Sequence, residues 1–489
     1  MSAEPAKAAD RPAGGARPPA AAGAARRPSA QPPEIEQELY ARRRKIYPRQ
    51  VHGIFARLRL AGVLVLLGIY YLLPWVPWEG RQAVLFDLPA RKFYIFDLVF
   101  WPQDFFYLAL LLILAAYALF FFTTLAGRLW CGYACPQTVW TEVFMWIERK
   151  VEGDRMQRMK LDRAPWDARK IRIKAVKHTL WALFALWTGF TFVGYFTPIT
   201  ELWDKALALS TGPWETFWIL FYGFATWGNA GFMREQVCIY MCPYARFQSA
   251  MFDRDTLIIS YDARRGEPRG PRRRGVDPRE LGLGDCIDCT LCVQVCPVGI
   301  DIRDGLQPQC IGCAACIDVC DEVMEKMGYP RGLIRYTTQN ALEGRPSRIL
   351  RPRVLVYGAL LVLFSALLVW SVATRPLLGL DVIRDRNALY RETPEGLIEN
   401  VYTLKILNKD ERAHRIRIRA EGLEGVRVLT DPEIEVPPGK VTAVPARLQV
   451  PRASLPGRVA TVRLVAEAVD APGLRAEEEA RFLGPGARR

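Results

Sequence analysis

Two runs of four cysteines carry the clearest chemistry in the chain: Cys286, Cys289, Cys292 and Cys296, then Cys310, Cys313, Cys316 and Cys320. Each is spaced C-x2-C-x2-C-x3-C, the arrangement that holds paired [4Fe–4S] clusters. Three close thiolates wrap three irons of one cube. The fourth points away and ligates the other cube. The expected ligand sets are therefore crossed: Cys286, Cys289, Cys292 and Cys320 for one cluster, and Cys310, Cys313, Cys316 and Cys296 for the second. Pro297 follows the first run as the motif wants, whereas Asp321 stands in the matching place of the second and costs no ligand. Four-cysteine zinc sites come as C-x2-C pairs across a longer gap and lack such triplets. Disulfides cannot pair triplets this close in sound geometry. The stretch carries electrons, with two [4Fe–4S] clusters as the expected cofactors.

The other four cysteines form a repeat. Cys131-Gly132-Tyr133-Ala134-Cys135-Pro136 and Cys238-Ile239-Tyr240-Met241-Cys242-Pro243 share the pattern C-x-Y-x-C-P. Cysteines four apart share one face of a helix, so both sulfurs of a pair are expected to address one ion. Proline after the second cysteine suits the first position of a new helix. The positive end of that helix, with Arg128 or Arg234 nearby, is expected to lower the thiol pKa. Soft thiolate sites select Cu(I), zinc or iron–sulfur, and Met233 and Met241 could add thioethers. Ordinary buried cysteines at helix ends would not explain two matched copies. The chain has only His52, His178 and His414, which disfavours a transmembrane haem held by facing histidines. No G-x-G-x-x-G follows a strand and no Walker motif is present, so no nucleotide site is expected.

The elements that must position these cysteines are mostly membrane helices. Residues 60–78, 105–127, 179–200, 216–233 and 354–374 are free of charged side chains and approach or exceed the length that spans a bilayer. Trp, Tyr and Pro gather at their edges, as at Tyr70-Tyr71-Leu72-Leu73-Pro74-Trp75. Five transmembrane helices are expected. Residues 1–57 carry 11 Lys and Arg and the loop 126–175 carries 11, against 3 in 76–99 and 1 in 198–213. The positive-inside rule then places the N-terminus and the cluster region in the cytoplasm and the tail beyond the fifth helix in the periplasm. This topology accounts for the net charge of +15 without nucleic acid. The absence of any cysteine outside these motifs suits a reducing compartment.

Five parts follow. Residues 1–57 read as a disordered, basic cytoplasmic segment, with Arg42-Arg43-Arg44-Lys45 facing lipid headgroups. Residues 58–250 form a four-helix membrane domain with both C-x-x-x-C-P motifs. Residues 251–350 form a cytoplasmic bacterial-type 2[4Fe–4S] ferredoxin domain, entered through a solvated basic linker, Arg264 to Arg274. Residues 351–375 are the fifth helix. Residues 376–489 alternate apolar and polar side chains between turns such as Pro437-Pro438-Gly439-Lys440, which predicts an immunoglobulin-like β-sandwich without a disulfide.

The stretch Trp130 to Trp140 with Glu148-Arg149-Lys150, the paired cluster motifs, Arg331-Gly332-Leu333-Ile334-Arg335-Tyr336 and the order of parts together resemble the FixG/CcoG/RdxA family of cytochrome c oxidase accessory proteins. The resemblance implies a multi-pass protein of the bacterial inner membrane. It would reduce Cu(II) to Cu(I) for assembly of a haem–copper oxidase, with Cys131, Cys135, Cys238 and Cys242 as copper ligands. The implied partners are a cytoplasmic electron donor, a copper chaperone or transporter, and oxidase assembly factors, with the lipid bilayer as surroundings and no nucleic acid. Two other readings stay open: an electron conduit to a quinone or a partner protein, and a scaffold without redox turnover.

Overall fold

The structure, a computed structural model, describes residues 45–485. The expected disorder of residues 1–44 and the basic knot Arg42–Arg44 lie outside the described residues. Residues 46–57, expected to belong to that disordered segment, are instead ordered: an extended strip leads into α1 (Ile54–Leu72). The start of α1 has no cap of its own. Asp318, on the cluster-bearing helix, accepts from the amides of Phe55 (3.2 Å) and Ala56 (2.8 Å) and satisfies two of the unpaired donors there.

A turn and a small platform follow α1. A short pair, β1 (Pro77–Trp78) and β2 (Arg81–Gln82), precedes a three-stranded antiparallel sheet, β3 (Val84–Asp87), β4 (Lys92–Ile95) and β5 (Leu98–Phe100). Nothing in the sequence reading anticipated this platform. From it α2 (Phe105–Ala126) runs back toward the cluster region, where Leu257 N–H donates to Leu125 O. Then come α3 (Leu129–Tyr133), α4 (Pro136–Glu152) and α5 (Arg155–Arg163).

The helix α6 (Ala168–Val193) starts well before the apolar stretch read from sequence, because Asp167 caps it by accepting from Lys170 N. It ends at the platform, where Phe86 N–H donates to Tyr195 O. After α7 (Ile199–Leu207), α8 (Pro213–Thr226) returns against α6. Its last turns, Trp227–Met233, widen into a π-helix, as does Val237–Met241, before α9 (Pro243–Met251).

The ferredoxin domain is held by the pair β6 (Ile258–Tyr261) and β7 (Ile334–Thr337), with short helices α10 (Ala263–Gly266) and α11 (Leu291–Gln294) and the longer α12 (Ala315–Met327). After α13 (Gln339–Leu342), α14 (Pro352–Ala373) leads out along α2, with Tyr117 against Phe364. Arg351 at its start donates to Thr124 O, and Arg375 beyond its end donates to Val99 O on the platform (2.8 Å).

Among the described residues, three helical stretches, Ile54–Trp75, Pro102–Ala126 and Pro352–Ala373, are long and apolar enough to cross a membrane. Their outer faces expose large apolar side chains such as Phe105, Leu112, Val362 and Trp370, which suits lipid rather than water.

The tail is a sandwich of two antiparallel sheets. One holds β8 (Leu378–Arg384), β9 (Arg391–Glu392), β10 (Leu397–Asn408), β12 (Arg427–Leu429) and β14 (Val441–Pro451). The other holds β11 (His414–Glu421), β13 (Ile434–Val436), β15 (Val459–Ala468) and β16 (Arg475–Leu483). Alternate residues of β11 and β15 turn inward, so Ile416, Val462 and Leu464 meet Tyr402, Leu404 and Leu448 in one dry core. The sandwich is tied to the platform: Lys409 Nζ lies 2.8 Å from the buried Asp104 carboxylate, and Arg375 lies 3.8 Å from it.

Candidate functional site

Two cavities in the ferredoxin domain collect the motif cysteines. One, of about 370 Å³, is lined by Cys286, Cys289, Cys292 and Cys320. The other, of about 340 Å³, is lined by Cys296, Cys310, Cys313 and Cys316, with Cys292 in the shared wall. Four cysteine sulfurs around each space are a soft donor set that fits an iron–sulfur cube. The turns that deliver these ligands need left-handed backbone at Asp288, Thr290 and Ala314, all at positive φ. Asp321, the departure from the motif, accepts from Gly332 N at 2.8 Å and anchors the following loop.

The basic linker is not a free tether. Gly270 N and Arg272 Nη1 donate to Cys286 O, Arg272 Nε donates to Tyr329 Oη, and Arg265 pairs with Asp285 at 2.5 Å. These bonds fold it onto the first cluster's loop, a difference from the solvated reading. The charge run was visible in the sequence, but its carbonyl partners were not.

The second cluster's loop meets the membrane part directly. A Cβ on Gly132 would lie 2.6 Å from Gly312 O and 3.1 Å from Cys313 Cα, so only glycine lets α3 approach. Arg59 donates to Cys313 O (2.8 Å), Arg128 to Cys310 O (3.2 Å), and Tyr336 to Gly312 O (2.7 Å). Cys131 packs against the apolar group that includes Cys313, Ile311 and Val298. On the far side, Cys289 is exposed. One cluster site therefore faces solvent and the other faces the first C-x-x-x-C-P.

The dithiols differ from the expectation in two respects. Cys131 and Cys135 do not share a helix face. α3 ends at Tyr133, and Cys135 is extended (φ −62°, ψ 128°) as the residue before α4. Cys242 is likewise extended (φ −79°, ψ 110°) before α9. The cause is the proline that follows each, which pushes its predecessor out of the helical region while starting the next helix. Second, Cys131 and Cys238 are not acidified. Burial pushes Cys131 up to about 11 and Cys238 up to about 12; Arg128 pulls both down, but too weakly to win. Arg234 is directed elsewhere, at Glu148 (2.9 Å) and Gly231 O.

The four sulfurs sense one another electrostatically, Cys238 feeling Cys135, Cys131 and Cys242. Among the described residues, however, no three His, Cys, Asp or Glu side chains converge closely enough to hold a single ion. Met233 is half-buried and Met241 is exposed. Met145, which the sequence reading passed over, lines a cavity of about 580 Å³ together with Cys238, Cys313, Glu142 and Glu235.

A buried charge network braces the site. Glu148 accepts from Arg158 (3.0 Å) and Arg234 (2.9 Å), and Glu152 pairs with Lys177 and Lys174 (2.8 Å each). Sequence offered Glu148 only as part of a motif; its role follows from carboxylates one helical turn apart on α4.

The apolar helices, the cysteine-lined cavities and the sandwich define a membrane-associated iron–sulfur redox protein. Residues 233–339 match the family described as "4Fe-4S dicluster domain", 108–152 match "4Fe-4S binding domain", and 368–485 match the "IG-like fold at C-terminal of FixG". Nitrogen fixation protein FixG of Rhizobium meliloti is 38% identical over 468 residues, covering 86% of this chain and 88% of that one. Protein RdxB of Cereibacter sphaeroides is 43% identical over 422 residues (83% and 87%), and Protein RdxA of the same organism 40% over 409 (80% and 86%). The chain belongs to the FixG/RdxA/RdxB family. A crystal structure of a FixG-related protein from Vibrio parahaemolyticus aligns with 22% of this chain and 95% of its own, at 31% identity and a TM-score of 0.20.

Proposed function

We infer that the protein is a cupric reductase of the inner membrane, delivering Cu(I) for assembly of a haem–copper cytochrome c oxidase. One observation carries the reading: the first dithiol abuts the loop of one cluster site, and Cys238 of the second dithiol shares a cavity with Cys313 of that same loop. Two [4Fe–4S] clusters, held by the crossed cysteine sets, would supply one-electron transfer at low potential. The residues around them do the rest. Gly132, Arg59 and Arg128 keep the loop against α3, and Cys131 packs against the apolar group that includes Ile311 and Val298.

Each Cu(II) takes one electron and becomes Cu(I), which sulfur holds more firmly than it holds Cu(II). Binding by sulfurs drawn from Cys131, Cys135, Cys238 and Cys242, fewer than three at a time in this arrangement, would therefore favour the reduced ion. Because each dithiol belongs to a separate segment, a copper chaperone can take the ion from fewer ligands at a time.

In this reading α6, and α8 with its π-helical extension, cross the bilayer beside the three apolar helices, making five spans. Among the contacts described above, α2 meets the cluster region at Leu125, α6 ends at the platform, and α14 is tied to the platform through Arg375. The charge asymmetry of the loops supports a cytoplasmic side for the clusters and their electron donor and a periplasmic side for the sandwich.

A second reading is favoured by the match of residues 108–152, which include Cys131 and Cys135, to a 4Fe-4S binding family. Here the dithiols are a station on an electron conduit to a quinone or a partner protein. Copper content and cupric reduction, measured anaerobically on the purified protein and on Cys131→Ala and Cys242→Ala, separate the two. The copper reading expects both variants to keep their clusters, bind less copper and reduce it more slowly. Full copper binding and activity in both would favour the conduit.

A further inference from the structure

We propose that Gln248 is the amide donor that holds the Cys131 sulfur once that sulfur carries a soft metal ion. The inference rests on the copper reading and adds a positioning residue to it. Gln248 is fully buried on α9, the helix that begins at Pro243. It therefore comes from the second C-x-x-x-C-P segment, yet it reaches the cysteine of the first: the Cys131 thiol donates to Gln248 Oε1 across 3.4 Å. Its other end is idle, because Nε2 has no hydrogen-bond partner. A buried amide nitrogen left without a partner is costly and calls for an explanation.

Metal binding supplies one. The ion replaces the thiol proton, which leaves to solvent, and the bound sulfur then has no hydrogen to give. The carbonyl end of Gln248 would face it lone pair to lone pair. A half-turn about the last side-chain bond exchanges Oε1 and Nε2 with almost no change of shape. Nε2–H then donates to the metal-bound sulfur, an outer-shell bond of the kind that orients ligands and tunes metal sites. On the other side only a weak approach of Nε2 to the Tyr244 oxygen is exchanged, too poor to count as a hydrogen bond. The carbonyl oxygen arrives beside the Tyr244 hydroxyl, which also hydrogen-bonds Thr123 Oγ1 and lies 3.3 Å from Leu119 O. Gln248 so links the two segments: the helix after the second dithiol sets the orientation of the first.

The test uses the full chain, purified anaerobically, with Cu(I) alone in competition against a soluble chelator. Gln248→Leu removes the donor, and Gln248→Glu keeps the length and shape but presents oxygens. Both are expected to weaken Cu(I) binding about 10- to 100-fold, with iron and sulfide content at the wild-type level. Affinity within threefold of wild type in both variants would overturn the inference while leaving the copper reading intact. So would wild-type affinity in Gln248→Glu alone, since shape and not the donor would then suffice. Copper loss accompanied by cluster loss in both variants would reduce Gln248 to a packing residue and overturn it as well. A wild-type protein that binds no Cu(I), or binds it equally after Cys131→Ala, would end the copper reading and this inference with it.

Discussion

The two C-x-Y-x-C-P segments are alike in sequence and unlike in surroundings. In the first, Cys131 lies in a short α-helix whose neighbour Gly132 touches the backbone of Gly312 and Cys313. In the second, Cys238 lies in a π-helical turn, the matching neighbour is the half-buried Ile239, and the cysteine opens on a cavity. The arginines before them diverge too. Arg128 reaches across to Cys310 O, while Arg234 turns away to Glu148 with its backbone at φ 44°. A repeat of one helical unit has thus been given two settings by its neighbours: the first segment is fitted to the cluster loop and the second opens on a cavity. π-Helical turns of this kind recur at functional sites.

The strongest way to break that pairing is through Glu148, whose carboxylate joins α4 of the first segment to Arg234 of the second. Glu148→Leu leaves the Arg158 and Arg234 guanidinium groups without this buried partner. The expected loss of stability is about 3–5 kcal/mol, read as a lower unfolding midpoint in detergent.

The same carboxyl gives a pH test. Burial works to raise its pKa, but Arg234, Arg158 and Lys177 outweigh burial and hold it below the ordinary value. With the folded pKa depressed, its contribution is complete above the unfolded value and is lost as pH falls through the folded one. Glu148→Gln should therefore flatten the acid limb of the stability profile and leave the slope above neutrality unchanged. An acid limb as steep in the variant as in the wild type would mean that the Glu148 carboxylate does not bear on the pH dependence of the fold.

A smaller effect sharpens the contrast at the glycine. Gly132→Ala places a methyl 2.6 Å from Gly312 O, and backbone must move to admit it. Overpacking of this kind costs about 1–3 kcal/mol. The signal of one cluster should change in electron paramagnetic resonance of the reduced protein while the other is untouched. Ile239→Ala, at the matching place in the second segment, should leave both signals as they are. Equal effects at the two positions would remove the distinction.

What could be read from sequence divides along physical lines. Local rules carried the cluster spacing, the helix starts at Pro136 and Pro243, and the alternating strands of the tail, because covalent spacing and side-chain period decide them. The same proline should have warned against placing Cys131 and Cys135 on one helix face, since the residue before proline leaves the helical region. The platform of β1–β5 escaped notice because its strands are two to four residues long and carry no sustained alternation. The direction of the thiol pKa was missed for a different reason. Charge near Cys131 is visible in the sequence as Arg128, but burial, which dominates, is a property of the assembled fold. Gln248 and Asp318 act on residues more than a hundred positions away, and no spacing rule reaches that far.

The smallest expected effect concerns the place in the first segment that corresponds to Gln248. Both residues are fifth after their proline, and in the first segment that residue is Thr141, which lines the same cavity as Cys238. Its hydroxyl accepts from Gln137 Nε2 at 3.3 Å. That amide is also within reach of Asn229 O (2.9 Å) and Arg234 O (3.2 Å). Thr141→Val thus keeps the shape and removes one acceptor from a donor that has two others. A typical net hydrogen bond contributes about 0.5–1.5 kcal/mol, and here most of it is retained. Cu(I) affinity should fall by less than about threefold, well short of the loss expected for Gln248→Leu. If Thr141→Val instead matched Gln248→Leu in the same chelator competition, the two segments would hold the ion in equivalent ways. The division into a cluster-facing and a cavity-facing dithiol would then have to be given up.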